Sequence, residues 1–183
     1  MFTLTQECRE YYNKNKDNFT HIVSIVCPDD DITPLHDNHL VVKFWDVDKT
    51  LENKFHKYDV VDVDTVLEPI FKAKKWYFES LAENKPMFLL VHCDAGISRS
   101  AAVSLGILWD ISAFVFGTIS AQSEDTPGCL RAYIDYRKEW CSNRVDDNCY
   151  WLRRFIDGRF KPGVKPNQAV LNHYRKMIPF FPW

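Results

Sequence analysis

In this 183-residue chain the residues best equipped for chemistry stand close together: His92, Cys93 and, six positions after the cysteine, Arg99. The five residues between the last two are Asp94, Ala95, Gly96, Ile97 and Ser98. A loop of that length can turn its backbone N–H groups onto one centre, and a helix beginning at its far end aims its positive terminus at the same point. Together these make an anion site. Gly96 supplies a backbone conformation that other residues resist. Arg99 offers a planar fork matched to two oxygens of a phosphate. In that field Cys93 is favoured as the thiolate, and a thiolate beneath a bound phosphate is a nucleophile aimed at phosphorus.

Two elements must hold this turn. Met87 to Val91 is a continuous apolar run after Asn84-Lys85-Pro86, which predicts a buried strand. After the loop, Ala101, Leu105 and Leu108 recur at helical spacing. The apolar stretch Ala101 to Gly117 is short for a membrane span and carries Asp110, so it reads as a buried core helix.

The run His92-Cys93-Asp94-Ala95-Gly96-Ile97-Ser98-Arg99-Ser100 resembles the Cys-x5-Arg signature of the protein tyrosine phosphatase superfamily. Ser100 and the compact chain are similar to its dual-specificity branch. Phe44-Trp45-Asp46 at a strand end and Lys165-Pro166-Asn167 before a last helix are similar to small bacterial and phage relatives. The resemblance implies that Cys93 is the nucleophile and forms a phosphocysteine, and that His92 helps hold the thiolate through the backbone. It implies that Arg99 and the amides of Asp94, Ala95, Gly96, Ile97 and Ser98 bind the phosphoryl oxygens. It assigns to Ser100 the steadying of Cys93 as a leaving group, and it calls for no metal or cofactor. The substrate so implied is a protein carrying phosphotyrosine, with phosphoserine and phosphothreonine as further candidates.

Such chemistry needs a general acid for the leaving oxygen, an upstream Asp in this superfamily. Asp46 is preferred, because it follows the second expected strand, where the carboxyl end of a sheet gathers functional loops. Asp48 is next. Asp59, Asp62 and Asp64 lie nearer the usual spacing, but the last two have a plainer explanation as charge at a helix N-terminus. Cys27 ends another strand at the same expected edge and resembles a second thiol that traps an oxidised Cys93.

Other readings stay open. The loop carries no lysine, which disfavours polyanionic lipid headgroups. An RNA 5′-phosphatase of the same superfamily would have Arg153, Arg154, Arg159, Lys161 and Lys165 to line its site, although such a charge run is ordinarily a solvated face. A phosphate-binding pseudophosphatase, a rhodanese-like sulfurtransferase and an arsenate reductase are the remaining alternatives.

Hydrophobic residues make up 46% of the chain and aromatics 15%, which implies a folded domain with a substantial core. The net charge of −2 gives no general case for nucleic acid or membrane surfaces. Six cysteines without zinc spacing, and an N-terminus unlike a signal peptide, point to a reducing cytoplasm.

The expected class is α/β: a mostly parallel central sheet flanked by helices, in one domain spanning 1–183, with an extended helical segment at about 113–160. In chain order the pattern predicts a helix around Gln6 to Tyr12, a strand Thr20 to Cys27, and a strand His39 to Trp45. An irregular connection, Leu51 to Asp64, follows. A helix opened by a capping box at Thr65-Val66-Leu67-Glu68 comes next, with Pro69 in its first turn and Leu67, Ile70, Phe71, Phe78 and Leu81 on its apolar face. Beyond Gly117, helices are expected at Leu130 to Trp140, Tyr150 to Ile156 and Gln168 to Met177.

Overall fold

The structure, a computed structural model, describes residues 2–52, 57–120 and 164–178, with backbone alone for 52 and 112–120. Its centre is a four-stranded parallel sheet in the order β1-β6-β2-β3. The strands are β1 (Phe2–Cys8), β2 (His21–Val26), β3 (His39–Lys43) and β6 (Met87–Cys93); a small antiparallel ladder pairs β4 (Leu51–Glu52) with β5 (Lys57–Tyr58). The helices are α1 (Arg9–Asn15), α2 (Val63–Ala82), α3 (Arg99–Ser120) and α4 (Gln168–Met177). All six residues of β2 are buried, as are all of β6 but Phe88, which suits strands covered on both faces. No described helix is long and apolar enough to cross a membrane.

The α/β class, the strand ending at Cys93, the helix starting at Arg99 and the last helix agree with the sequence. Other expectations are corrected. Gln6 to Cys8 are strand, and α1 begins only at Arg9. Phe2 to Cys8 pair residue for residue with Met87 to Cys93, so sheet pairing overrides a polar local pattern. The cap of α2 is Asp62, whose carboxylate accepts from Thr65 N at 2.9 Å and from the Thr65 hydroxyl at 2.7 Å. The capping pair therefore lies three residues earlier than expected. Pro69 consequently sits in the second turn, where its missing N–H leaves the Thr65 carbonyl without its helical partner.

The buried face of α2 is Val66, Leu67, Ile70, Ala73 and Trp76, whereas Phe71 is 62% exposed and Leu81 54% exposed. Ala73 and Trp76, small beside large, set the phase that Phe71 and Phe78 did not reveal. The connection from Leu51 holds the β4–β5 ladder, and α3 continues past Gly117 to Ser120. The helices expected at 130–140 and 150–156 lie outside the described residues.

Three helices meet at Gly106. A Cβ there would stand 2.5 Å from the Tyr174 ring and 2.8 Å from Ile70 Cδ1. Tyr174 is fully buried and donates its hydroxyl to Val66 O at 3.1 Å, joining α4 to α2. Gly106→Ala gains about 1 kcal/mol of helix propensity but overpacks this contact, at a typical cost of ~1–3 kcal/mol. The variant is expected to melt at or below the temperature of the parent protein in a thermal unfolding scan. A clear rise in Tm would contradict the packing described.

Candidate active site

Cys93 closes β6 and Arg99 opens α3, so residues 94–98 form the whole strand-to-helix loop. Gly96 adopts φ +67°, and a Cβ on it would lie 2.7 Å from Cys8 N and 2.8 Å from Glu7 C. Glycine is required twice over: for the left-handed conformation, and for the close approach of the loop to the β1 backbone. On the opposite side Lys165 N donates to Ile97 O at 3.1 Å, and Asn167 N to Ser98 O at 3.3 Å. The loop is thus clamped between the end of β1 and the lead-in to α4.

Cys93 is 2% exposed, and its Sγ lies 3.2 Å from Ser100 Oγ. Arg99 is 3% exposed. Its Nη1 donates to Phe44 O at 3.0 Å and approaches Cys27 Sγ at 3.5 Å; its Nη2 donates to Asp94. Its Nε is buried without a hydrogen-bond partner. Burial acts to lower the Arg99 pKa, yet Cys27, Asp94 and Cys93 around it carry the value above the ordinary one. Asp94 in turn pairs with Arg9 at 2.7 Å, and Arg9 with Asp30 at 2.7 Å. The Arg9 bond holds Asp30 below the usual carboxylate range.

Asp46 faces this loop from the end of β3. Its Oδ1 accepts from Ser98 Oγ at 2.6 Å and from Asn167 Nδ2 at 3.0 Å, and its Oδ2 lies 3.9 Å from Arg99 Nε. Asp48 is engaged elsewhere: its Oδ1 accepts from Gln168 N at 2.7 Å and Ala169 N at 3.3 Å, at the start of α4. Asp62 caps α2, and Asp59 pairs with Lys57 at 2.9 Å. Of these candidates, Asp46 bonds the loop directly, through Ser98. A cleft of about 630 Å³ opens beside them, lined among others by Asp46, Asp48, Ile97, Ser98, Lys165 and Asn167. Of the basic residues weighed for an RNA end, Lys165 is on this rim; the other four lie outside the described residues.

Behind the loop, Ser24 Oγ lies 2.7 Å from His39 Nε2 and 2.6 Å from His92 Nε2. Leu35 N donates to His39 Nδ1 at 3.0 Å, so His39 carries its proton on Nε2 and gives it to Ser24. Ser24 then donates to His92 Nε2, which leaves the His92 proton on Nδ1, the other ring nitrogen. The His92 ring stacks on Tyr12 at 4.2 Å. Burial, then His39 and Arg9, push His92 down to about 4; burial, then His36 and Lys16, push His39 down to about 4. Cys8, Cys27 and Cys93 are free thiols; Cys27 turns to Arg99 and Asp94, and burial is the main cause raising its pKa.

Sequence reading missed Gln6, Ser24, His39 and Arg9. Each reaches the site through tertiary structure: Gln6 on the strand hidden under a helical expectation, Arg9 just beyond it at the start of α1, and Ser24 and His39 from neighbouring strands. Asn167 was singled out, but only as part of a resemblance.

The two depressed histidines fix a sign. Both prefer to be neutral when folded, so they contribute stability that is complete above about 6.5, their unfolded value, and is lost as pH falls towards about 4. The unfolding free energy, measured by denaturant titration, should fall from pH 7 to pH 4.5. His39→Gln should show a smaller fall; an unchanged fall would contradict the relay.

No family model matches the chain, and no curated protein matches it. Solved structures do. The Yvh1 phosphatase domain from Chaetomium thermophilum is 18% identical with a TM-score of 0.49, covering 95% of this chain and 90% of that one. The PTP-2 phosphatase of Cydia pomonella is 16% identical with a TM-score of 0.46, covering 95% and 84%. The human tyrosine phosphatase-like serine/threonine/tyrosine-interacting protein is 18% identical with a TM-score of 0.43, covering 93% and 84%. Two are phosphatases by name and the third is tyrosine phosphatase-like.

Proposed function

We propose that this protein is a cysteine-dependent phosphatase of the tyrosine and dual-specificity kind, acting on phosphotyrosine in proteins and also on phosphoserine or phosphothreonine where these reach the loop. The observation that carries the reading is the meeting of three groups from three elements. Cys93 stands at the end of β6 with Ser100 at 3.2 Å, Arg99 starts α3 with a buried, unpartnered Nε, and Asp46 comes from beyond β3 to within 3.9 Å of that nitrogen. A buried N–H donor without a partner is costly, and a phosphoryl oxygen would satisfy it.

In the first step the Cys93 thiolate attacks phosphorus, the bond to the leaving oxygen breaks, and Asp46 gives its proton to that oxygen. Arg99 and the loop amides stabilise the charge spread over the other phosphoryl oxygens. In the second step water attacks the phosphocysteine, Asp46 takes the proton, and the P–S bond breaks with its electrons returning to sulfur. Asp94 holds Arg99 Nη2 before the substrate arrives. It thereby keeps the guanidinium plane set, with Nη1 anchored on Phe44 O.

Cys93→Ser should abolish hydrolysis of para-nitrophenyl phosphate in the absence of added metal while leaving the circular dichroism spectrum unchanged. The loss should be many orders of magnitude, because the nucleophilic route disappears; turnover within about tenfold of the parent protein would sink this mechanism.

Asp46→Asn should slow phosphotyrosine hydrolysis by ~10²–10⁴-fold and spare an aryl phosphate whose leaving group needs no proton. Asp48→Ala should instead lower stability by about 1 kcal/mol through the lost contacts at α4, with the leaving-group dependence unaltered. If the two variants exchange these signatures, the acid is Asp48.

A further inference from the structure

Gln6 lies two residues before Cys8 on β1, and the register sets Cys8 beside Cys93. The Gln6 side chain is therefore on the strand face that carries Cys93. It is 5% exposed and passes beneath the loop, where its Nε2 lies 2.8 Å from Gly96 O and 2.7 Å from Ser100 Oγ. The Gly96 carbonyl can only accept, so the amide end that meets it must be the NH₂ group. The same nitrogen then donates to Ser100.

This settles a direction that the Ser100–Cys93 pair leaves open on its own. A hydroxyl and a thiol 3.2 Å apart can each be the donor. With one Ser100 lone pair taken by Gln6, the Ser100 proton is free to point at sulfur. Resting on the phosphatase reading above, we propose that Gln6 is a positioning residue that fixes the polarity of the chain Gln6 to Ser100 to Cys93. The sulfur then faces a hydrogen-bond donor twice in the cycle. It does so as the attacking thiolate, and again when the P–S bond breaks and the electron pair returns to it. The Gly96 bond serves the same end, since it ties the donor to the residue that shapes the loop.

Gln6→Glu tests the polarity with almost no change of shape. A carboxylate only accepts, so it draws the Ser100 proton away from Cys93 and meets Gly96 O with a repulsion. Two readouts separate this from a loss of packing. The first is the rate of Cys93 alkylation by iodoacetamide at pH 6, which follows the thiolate fraction and needs no turnover. It should fall roughly tenfold or more, the size of a lost hydrogen bond to a charged group. The second is rapid-quench kinetics with para-nitrophenyl phosphate, in which phosphocysteine should accumulate because its hydrolysis slows more than its formation.

Ser100→Ala should give the same two changes, and Gln6→Glu should add little in the Ser100→Ala background. A parent-like alkylation profile in Gln6→Glu, or full additivity with Ser100→Ala, would overturn the proposal. If Gln6→Glu fails to fold, Gln6→Met with Ser100→Ala and the double variant carries the same cycle, and additivity there overturns it as well. A parent protein that alkylates at Cys93 but hydrolyses no aryl phosphate would defeat the phosphatase reading, and the alkylation cycle would still decide the role of Gln6.

Discussion

A guanidinium 3% exposed to solvent is the constraint on which the site depends. Taking such a charge out of water is costly unless hydrogen bonds and counter-charge replace the lost solvent. Arg99 obtains them from every side: the Phe44 carbonyl at the end of β3, Asp94 within the loop, Cys27 at the end of β2, and Asp46 at 3.9 Å. Each of these residues is at or just beyond the carboxyl end of a strand. The parallel sheet is what brings those ends together, and the buried charge gives each a reason to be where it is.

The neutralisation continues outward. Asp94 places a carboxylate at the first position of the 94–98 loop. Arg9 answers it, and Asp30 answers Arg9. These pairs are about one-third exposed, so each contributes modestly to stability. Their effect is on geometry: they hold the first turn of α1 and the start of the loop after β2 against the 94–98 loop. On the other flank the segment 164–168 supplies the second clamp, and Asn167 bonds both Asp46 and the first turn of α4. Asp46 beyond β3 and the 94–98 loop after Cys93 are thereby set in register by a third piece of chain.

The local signals in the sequence carried far where a single stretch determines the outcome. The apolar run to Val91, the Gly96 turn and the apolar helix after Arg99 form one continuous unit, and its reading from sequence agrees with the structure. Asp46 was legible as a candidate because it follows a strand, although only its bonds to Ser98 and Asn167 distinguish it from Asp48. Gln6 was not legible. Its strand is defined by pairing with β6, about 85 residues away by the Phe2–Met87 register, and no local pattern encodes that partner. The same holds for Ser24 and His39, whose relay to His92 exists only once three strands lie side by side. The error in the face of α2 has a similar origin: bulky aromatics outweighed Ala73, yet the small residue marks where the helix lies closest to the core.

The most direct measurement is to catch the intermediate. The parent protein and Asp46→Asn would be mixed with an aryl phosphate, quenched in acid within milliseconds, digested and mapped by mass spectrometry. The account requires one added phosphoryl group on the peptide that contains Cys93, with greater occupancy when the acid-base group is missing. Turnover that proceeds with no covalent phosphate, or with phosphate on another residue, would contradict it.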